Sequence, residues 1–88
     1  MDHKNEKIRA LFELIMRLDN LEDCQALFDD MCTRKEVEKM AERIFAARLL
    51  MEGKTYNQVM EVADISSATL SRVSQCVQYG KGYSKMLK

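Results

Sequence analysis

Proline is absent from this 88-residue chain, glycine occurs three times and histidine once. Without proline nothing breaks a helix from within, and Gly53 is the only glycine ahead of Gly80 and Gly82. The one histidine, His3, stands near the start, so general acid–base chemistry would fall to carboxylates or lysines. No Gly-rich phosphate loop, Ser/His/Asp set or H-E-x-x-H run occurs, and an enzyme is not expected. The cysteines, Cys24, Cys32 and Cys76, are odd in number and form no C-x-x-C pair. A tetrahedral zinc site would have to join all three to His3 at irregular spacings, so no metal or other cofactor is expected. They read instead as buried or half-buried thiols in a reducing cytoplasm. No apolar run approaches the ~18 residues of a membrane span, and no basic stretch followed by an apolar one suggests a signal peptide. An excess of positive charge is also missing, since 14 Lys and Arg oppose 14 Asp and Glu, which on its face argues against a nucleic-acid partner.

What is present favours helices. Met, Leu, Ala, Glu, Lys, Arg and Gln are plentiful, all of them good helix formers. Ile8, Leu11, Phe12, Ile15 and Leu18 recur at helical spacing and predict a helix over about 5–18. Leu14 and Met16 lie off that stripe, which leaves more apolar surface than one neighbour covers. Asp19-Asn20 can cap a second helix carrying Cys24, Leu27, Phe28 and Met31. Thr33-Arg-Lys-Glu36 reads as a capping box for a third helix with Val37, Met40, Ala41, Ile44, Phe45 and Leu49 on its stripe. Gly53 fits the C-cap of that helix. Thr55-Tyr-Asn-Gln58 is a second capping box, opening a short helix to about Val62. Ser66 or Ser67 can cap a fifth helix to about Tyr79, and a short tail follows in which Tyr79 and Tyr83 are expected to pack.

A chain of this length makes one domain and buries only about 60–65% of its unfolded surface, so a second copy would help it. Residues 1–53 are read as dimerisation helices, 54–79 as a helix-turn-helix and 80–88 as a tail. The zero net charge is itself unevenly made. Residues 19–30 hold five acidic and no basic side chains, whereas no acidic residue follows Asp64 and Arg72, Lys81, Lys85 and Lys88 do.

The run from Ala63 to Val73, Ala-Asp-Ile-Ser-Ser-Ala-Thr-Leu-Ser-Arg-Val, resembles the turn and recognition helix of bacterial helix-turn-helix regulators. Asp64 takes the turn place, where a positive φ is expected that Asp tolerates better than most residues. Ile65 should enter the small core between the helices, Ser66 should cap, and Leu70 and Val73 should face inward. Ser67, Ala68, Ser71, Arg72 and Gln75 are then left outside, small and polar enough to enter a major groove. Met60 stands where such motifs usually carry alanine, which suggests a looser or tilted crossing of the two helices.

The context is similar to the Trp repressor superfamily, and within it to the small YerC/YecD-type branch. Gly53, Lys54, Thr55, Tyr56, Gln58, Val59, Cys76, Tyr79, Gly80 and Gly82 fit the branch pattern around the Ala-Thr-Leu-Ser-Arg-Val run, and the likeness covers about residues 34–83. The resemblance implies an all-α, Trp repressor-like intertwined homodimer that reads double-stranded operator DNA as a cytoplasmic transcriptional regulator, with no membrane partner. The DNA-facing residues would be Ser66, Ser67, Ala68, Thr69, Ser71, Arg72 and Gln75, with backbone contacts from Lys54, Tyr56, Asn57 and Lys81. By the same resemblance the two arginines that flank tryptophan in the Trp repressor correspond to Arg43 and Arg72. The glycine after the second is Val73 here, and a branched side chain would crowd an indole, so no tryptophan corepressor is expected; the regulator is either unliganded, or Arg43 and Arg72 hold another effector. On the residues alone, Arg43 could line a ligand pocket, but a surface ion pair with Glu36, Glu38 or Glu42 is the more common outcome. The other reading of the whole chain is a helical protein-interaction module that keeps the fold and offers its acidic second helix to a basic partner.

Overall fold

The computed structural model describes residues 3–88, all of whose regular structure is helical. The helices are α1 (Lys4–Ile15), α2 (Leu21–Met31), α3 (Arg34–Met51), α4 (Tyr56–Val62), α5 (Ser67–Tyr79) and α6 (Gly82–Met86). Packing divides the chain into two compact units between Arg34 and Lys35. The first holds α1 and α2, and the second holds α3 from Lys35 onward with α4, α5 and α6.

In the first unit α1 stops at Ile15, short of the expected Leu18. The amides of Arg17 and Leu18 turn to the carbonyls of Leu14 and Ile15, at 3.0 and 3.1 Å, which tightens the chain into a turn before Asn20. Asn20 then caps α2: its side chain accepts from the Asp23 amide at 2.8 Å. Neither α1 nor α2 contains a buried residue, and Ile8 (44%), Phe12 (59%) and Leu21 (73%) are exposed.

The core lies in the second unit. Ala46 of α3, Val59 of α4, Ala63 in the turn and Leu70 of α5 form a buried cluster, against which Leu49, Leu50 and Ile65 pack. Small residues on α3 bring its backbone close to the other helices, and Leu70 and Val59 are the largest side chains fully buried. This corrects the expected stripe of α3. Ala46 and Ala47 are its buried residues, while Ala41, Ile44 and Phe45 stay exposed and Val37, Met40 and Leu49 are half-buried. Alpha3 carries apolar residues on two faces, and periodicity alone does not say which one this chain covers.

The C-terminal end of α3 is a Schellman motif. Gly53 has φ of 92°, its amide donates to Leu50 O at 3.0 Å, and the Lys54 amide donates to Leu49 O at 3.1 Å. Met60 does not occupy the helix contact, because Val59 and Ala63 do, and its side chain is 39% exposed. At the other end the tail forms α6. Gly80 permits this turn: a Cβ there would lie 2.6 Å from Cys76 O. Tyr79 does not pack the tail, being 79% exposed, whereas Tyr83 is half-buried.

Candidate nucleic-acid interface

Alpha4, the four residues 63–66 and α5 make a helix-turn-helix on the flank of α3. Local chemistry sets both helix starts. The Thr55 hydroxyl accepts from the Gln58 amide at 3.2 Å while the Gln58 side chain accepts from the Thr55 amide at 2.8 Å, a complete capping box. Ser66 caps α5 by accepting from the Thr69 amide at 3.2 Å. The Ser66 hydroxyl also donates to Thr69 Oγ1 at 3.0 Å, which leaves the Thr69 hydroxyl proton free to point elsewhere. The amides of Ser67 and Ala68, in the first turn of α5, have no acceptor within the helix.

The turn itself differs from expectation. Asp64 does not adopt a positive φ, since Gly53 is the only described residue that does. Ala63 and Ser66 are both extended, so the chain reverses through four residues without a left-handed step. The Asp64 amide, which the turn leaves without a helical acceptor, donates to Glu42 Oε1 of α3 at 2.9 Å. Glu42 is thus a structural contact that sequence reasoning missed. The bond spans 22 residues, and no local spacing rule points to it.

The faces of α5 fall as the sequence suggests. Leu70 and Val73 are buried, Thr69 is half-buried, and Ser67, Ala68, Ser71, Arg72 and Gln75 are exposed. Lys54, Tyr56 and Asn57 at the start of α4 are exposed as well, and so is Lys81 beyond α5. Arg43 forms no ion pair among the described residues; the nearby Glu42 carboxylate is engaged by the Asp64 amide instead. Arg43 lines an open cleft of about 340 Å³ with Lys39, Glu42, Asp64, Ile65, Ser66 and Thr69. Arg72 is not part of that lining, so the cleft does not bring Arg43 and Arg72 together. The three cysteines are free thiols, each half-buried, and no group of three or more possible metal ligands gathers among the described residues. No helix among them is long and apolar enough to cross a membrane.

An all-helical unit built around a helix-turn-helix, with a small, hydroxyl-bearing outer face on its second helix, defines the class of this protein. It belongs to the Trp repressor family, whose model, described as Trp repressor protein, matches residues 6–88. Proteins of this family are DNA-binding regulators and not enzymes. The chain is 39% identical over 83 residues to the uncharacterized protein YerC of Bacillus subtilis, a match that covers 94% of this chain and 80% of YerC. Its fold is similar to that of a candidate Trp repressor from Staphylococcus aureus, with a TM-score of 0.87 at 32% identity over 99% of this chain and 91% of the other. It is equally similar to a TrpR-like protein from Eubacterium eligens, with a TM-score of 0.88 at 32% identity over 97% and 89% of the two chains.

Proposed function

We propose that this protein is a cytoplasmic DNA-binding transcriptional regulator that acts as a homodimer and represses by occupying its operator. The observation that carries the reading is the outer face of α5. Ser67, Ala68, Ser71, Arg72 and Gln75 stand exposed above a floor of buried Leu70 and Val73. Small residues let such a helix sit deep in a major groove, where Arg72 and Gln75 can reach base edges or phosphate. The hydroxyls of Ser67 and Ser71, and the free amides of Ser67 and Ala68, suit phosphate oxygens. Lys54, Tyr56, Asn57 and Lys81 supply further backbone contacts, and the absence of any acidic residue after Asp64 keeps this end of the chain attractive to phosphate.

The homodimer follows from what one chain leaves uncovered. No residue of α1 or α2 is fully buried, and Ile44 and Phe45 of α3 are each 43% exposed. A second copy of the chain covers these faces and presents α5 twice, with half-sites about one helical turn, roughly 34 Å, apart. The regulator works without tryptophan. Val73, 2% exposed, stands where the resemblance calls for glycine, and Arg72 does not line the cleft beside Arg43.

The test is selection of bound duplexes from sheared genomic DNA, followed by fluorescence anisotropy at about 50 mM salt. The reading expects selective binding that Arg72→Ala weakens at least tenfold and that added tryptophan leaves unchanged. No binding at that salt refutes it and favours the interaction module, and so does binding that is indifferent to Arg72→Ala.

A further inference from the structure

We propose that Glu42 is a positioning residue for DNA recognition: by accepting the Asp64 amide it fixes the turn from which the recognition helix starts. This rests on the DNA-binding reading above. The geometry is direct. Asp64 lies two residues ahead of Ser66, the cap of α5, and its amide donates to Glu42 Oε1 at 2.9 Å, within the range of a good hydrogen bond. Alpha3, which supplies Glu42, also supplies Ala46 to the cluster that holds Leu70 and Val59. One element therefore grips the helix-turn-helix twice, by apolar packing under α5 and by a side-chain hydrogen bond at its entrance.

The carboxylate has an electrostatic cost at this place. It lines the same cleft as Ser66 and Thr69, at the start of the helix proposed to enter the groove, and phosphates approaching that end feel its negative charge. Lys39 and Arg43 line that cleft as well and offset part of the repulsion. A side chain serving only solubility there would bind DNA better as a lysine or a serine. The hydrogen bond to the turn is the contribution that offsets the cost.

The role makes two expectations separable. Losing the acceptor lets the turn and the first residues of α5 sample orientations that do not fit the groove, and apparent affinity falls in proportion to the fraction still competent. Glu42→Ala should weaken DNA binding about 5- to 10-fold. Glu42→Gln keeps an acceptor oxygen and sheds the charge, so it should bind at least as tightly as the wild type. Amide hydrogen exchange reads the anchor without DNA: Glu42→Ala should speed exchange at Asp64 about tenfold, while the Leu70 amide, bonded to Ser66 O at 2.9 Å, keeps its protection. Equal or tighter binding by Glu42→Ala overturns the proposal in favour of plain charge repulsion. Equal losses in Glu42→Ala and Glu42→Gln overturn it in favour of a role for the charge itself. Unchanged Asp64 exchange in Glu42→Ala overturns it whether or not DNA is bound, whereas a wild-type protein that binds no DNA refutes the DNA reading alone.

Discussion

Leu70→Ala is the perturbation that most directly probes how the recognition helix is held. Leu70 is fully buried in a cluster whose other buried members are Ala46, Val59 and Ala63. Two of those are alanines, so the leucine supplies much of the apolar volume. Its truncation forfeits the transfer free energy of the lost carbons and leaves a cavity, together about 2–5 kcal/mol. The unit is small and half-buried Leu49, Leu50 and Ile65 surround the site, so partial collapse favours the middle of that range, about 3 kcal/mol. A chain of 88 residues has a total stability of about 4–13 kcal/mol. The substitution therefore removes a quarter or more of it. In urea, with a slope of about 1.5 kcal/mol per M, the midpoint should fall by about 2 M when protein concentration is held fixed. Ser71→Ala, on the exposed face one residue along, should change stability by less than about 0.5 kcal/mol. A loss below about 1 kcal/mol for Leu70→Ala would show that α5 is held by something other than this cluster.

Three further outcomes are expected. Gly53→Ala meets no neighbouring atom but must hold φ near 92°, so it should cost about 1–2 kcal/mol from backbone strain alone, measured by denaturation. Gly80→Ala would place a Cβ 2.6 Å from Cys76 O, and limited proteolysis should then cut between α5 and α6 faster than in the wild type. Ile44→Glu puts a charge on the exposed apolar face of α3. If that face pairs with a second copy, light scattering should show the mass dropping from about 20 kDa toward the 10.2 kDa of one chain, and a wild-type mass near 10.2 kDa at micromolar concentration would refute the homodimer.

The features legible in the sequence are those whose chemistry is local. Asn20, Thr55 and Ser66 cap helices because a short polar side chain three residues ahead of an amide can do little else. Gly53 closes α3 because only a residue free to take positive φ can. The two faces of α5 were readable because Leu70 and Val73 are its only apolar pair at that spacing near the helix start. The features that escaped are those set by partners distant in sequence. The buried face of α3 is chosen by what packs on Ala46, and two apolar faces compete for that part. The backbone at Asp64 is settled by an acceptor 22 residues upstream, which removes the need for a left-handed turn. Arg43 forms no ion pair among the described residues, although Glu36, Glu38 and Glu42 are all near in sequence, and the Glu42 carboxylate accepts the turn amide.

The salt dependence of DNA binding by the wild-type protein is the most direct measurement of all. If each of two subunits sets Lys54, Arg72 and Lys81 against phosphate, six counterions are released on binding. The logarithm of the association constant should then fall with the logarithm of salt at a slope of about −5, a loss of about a thousandfold between 50 and 200 mM. Arg72→Ala in both subunits should lower the slope to about −3.6. A slope near zero, or one that Arg72→Ala leaves unchanged, would contradict a dimer that grips DNA through α5.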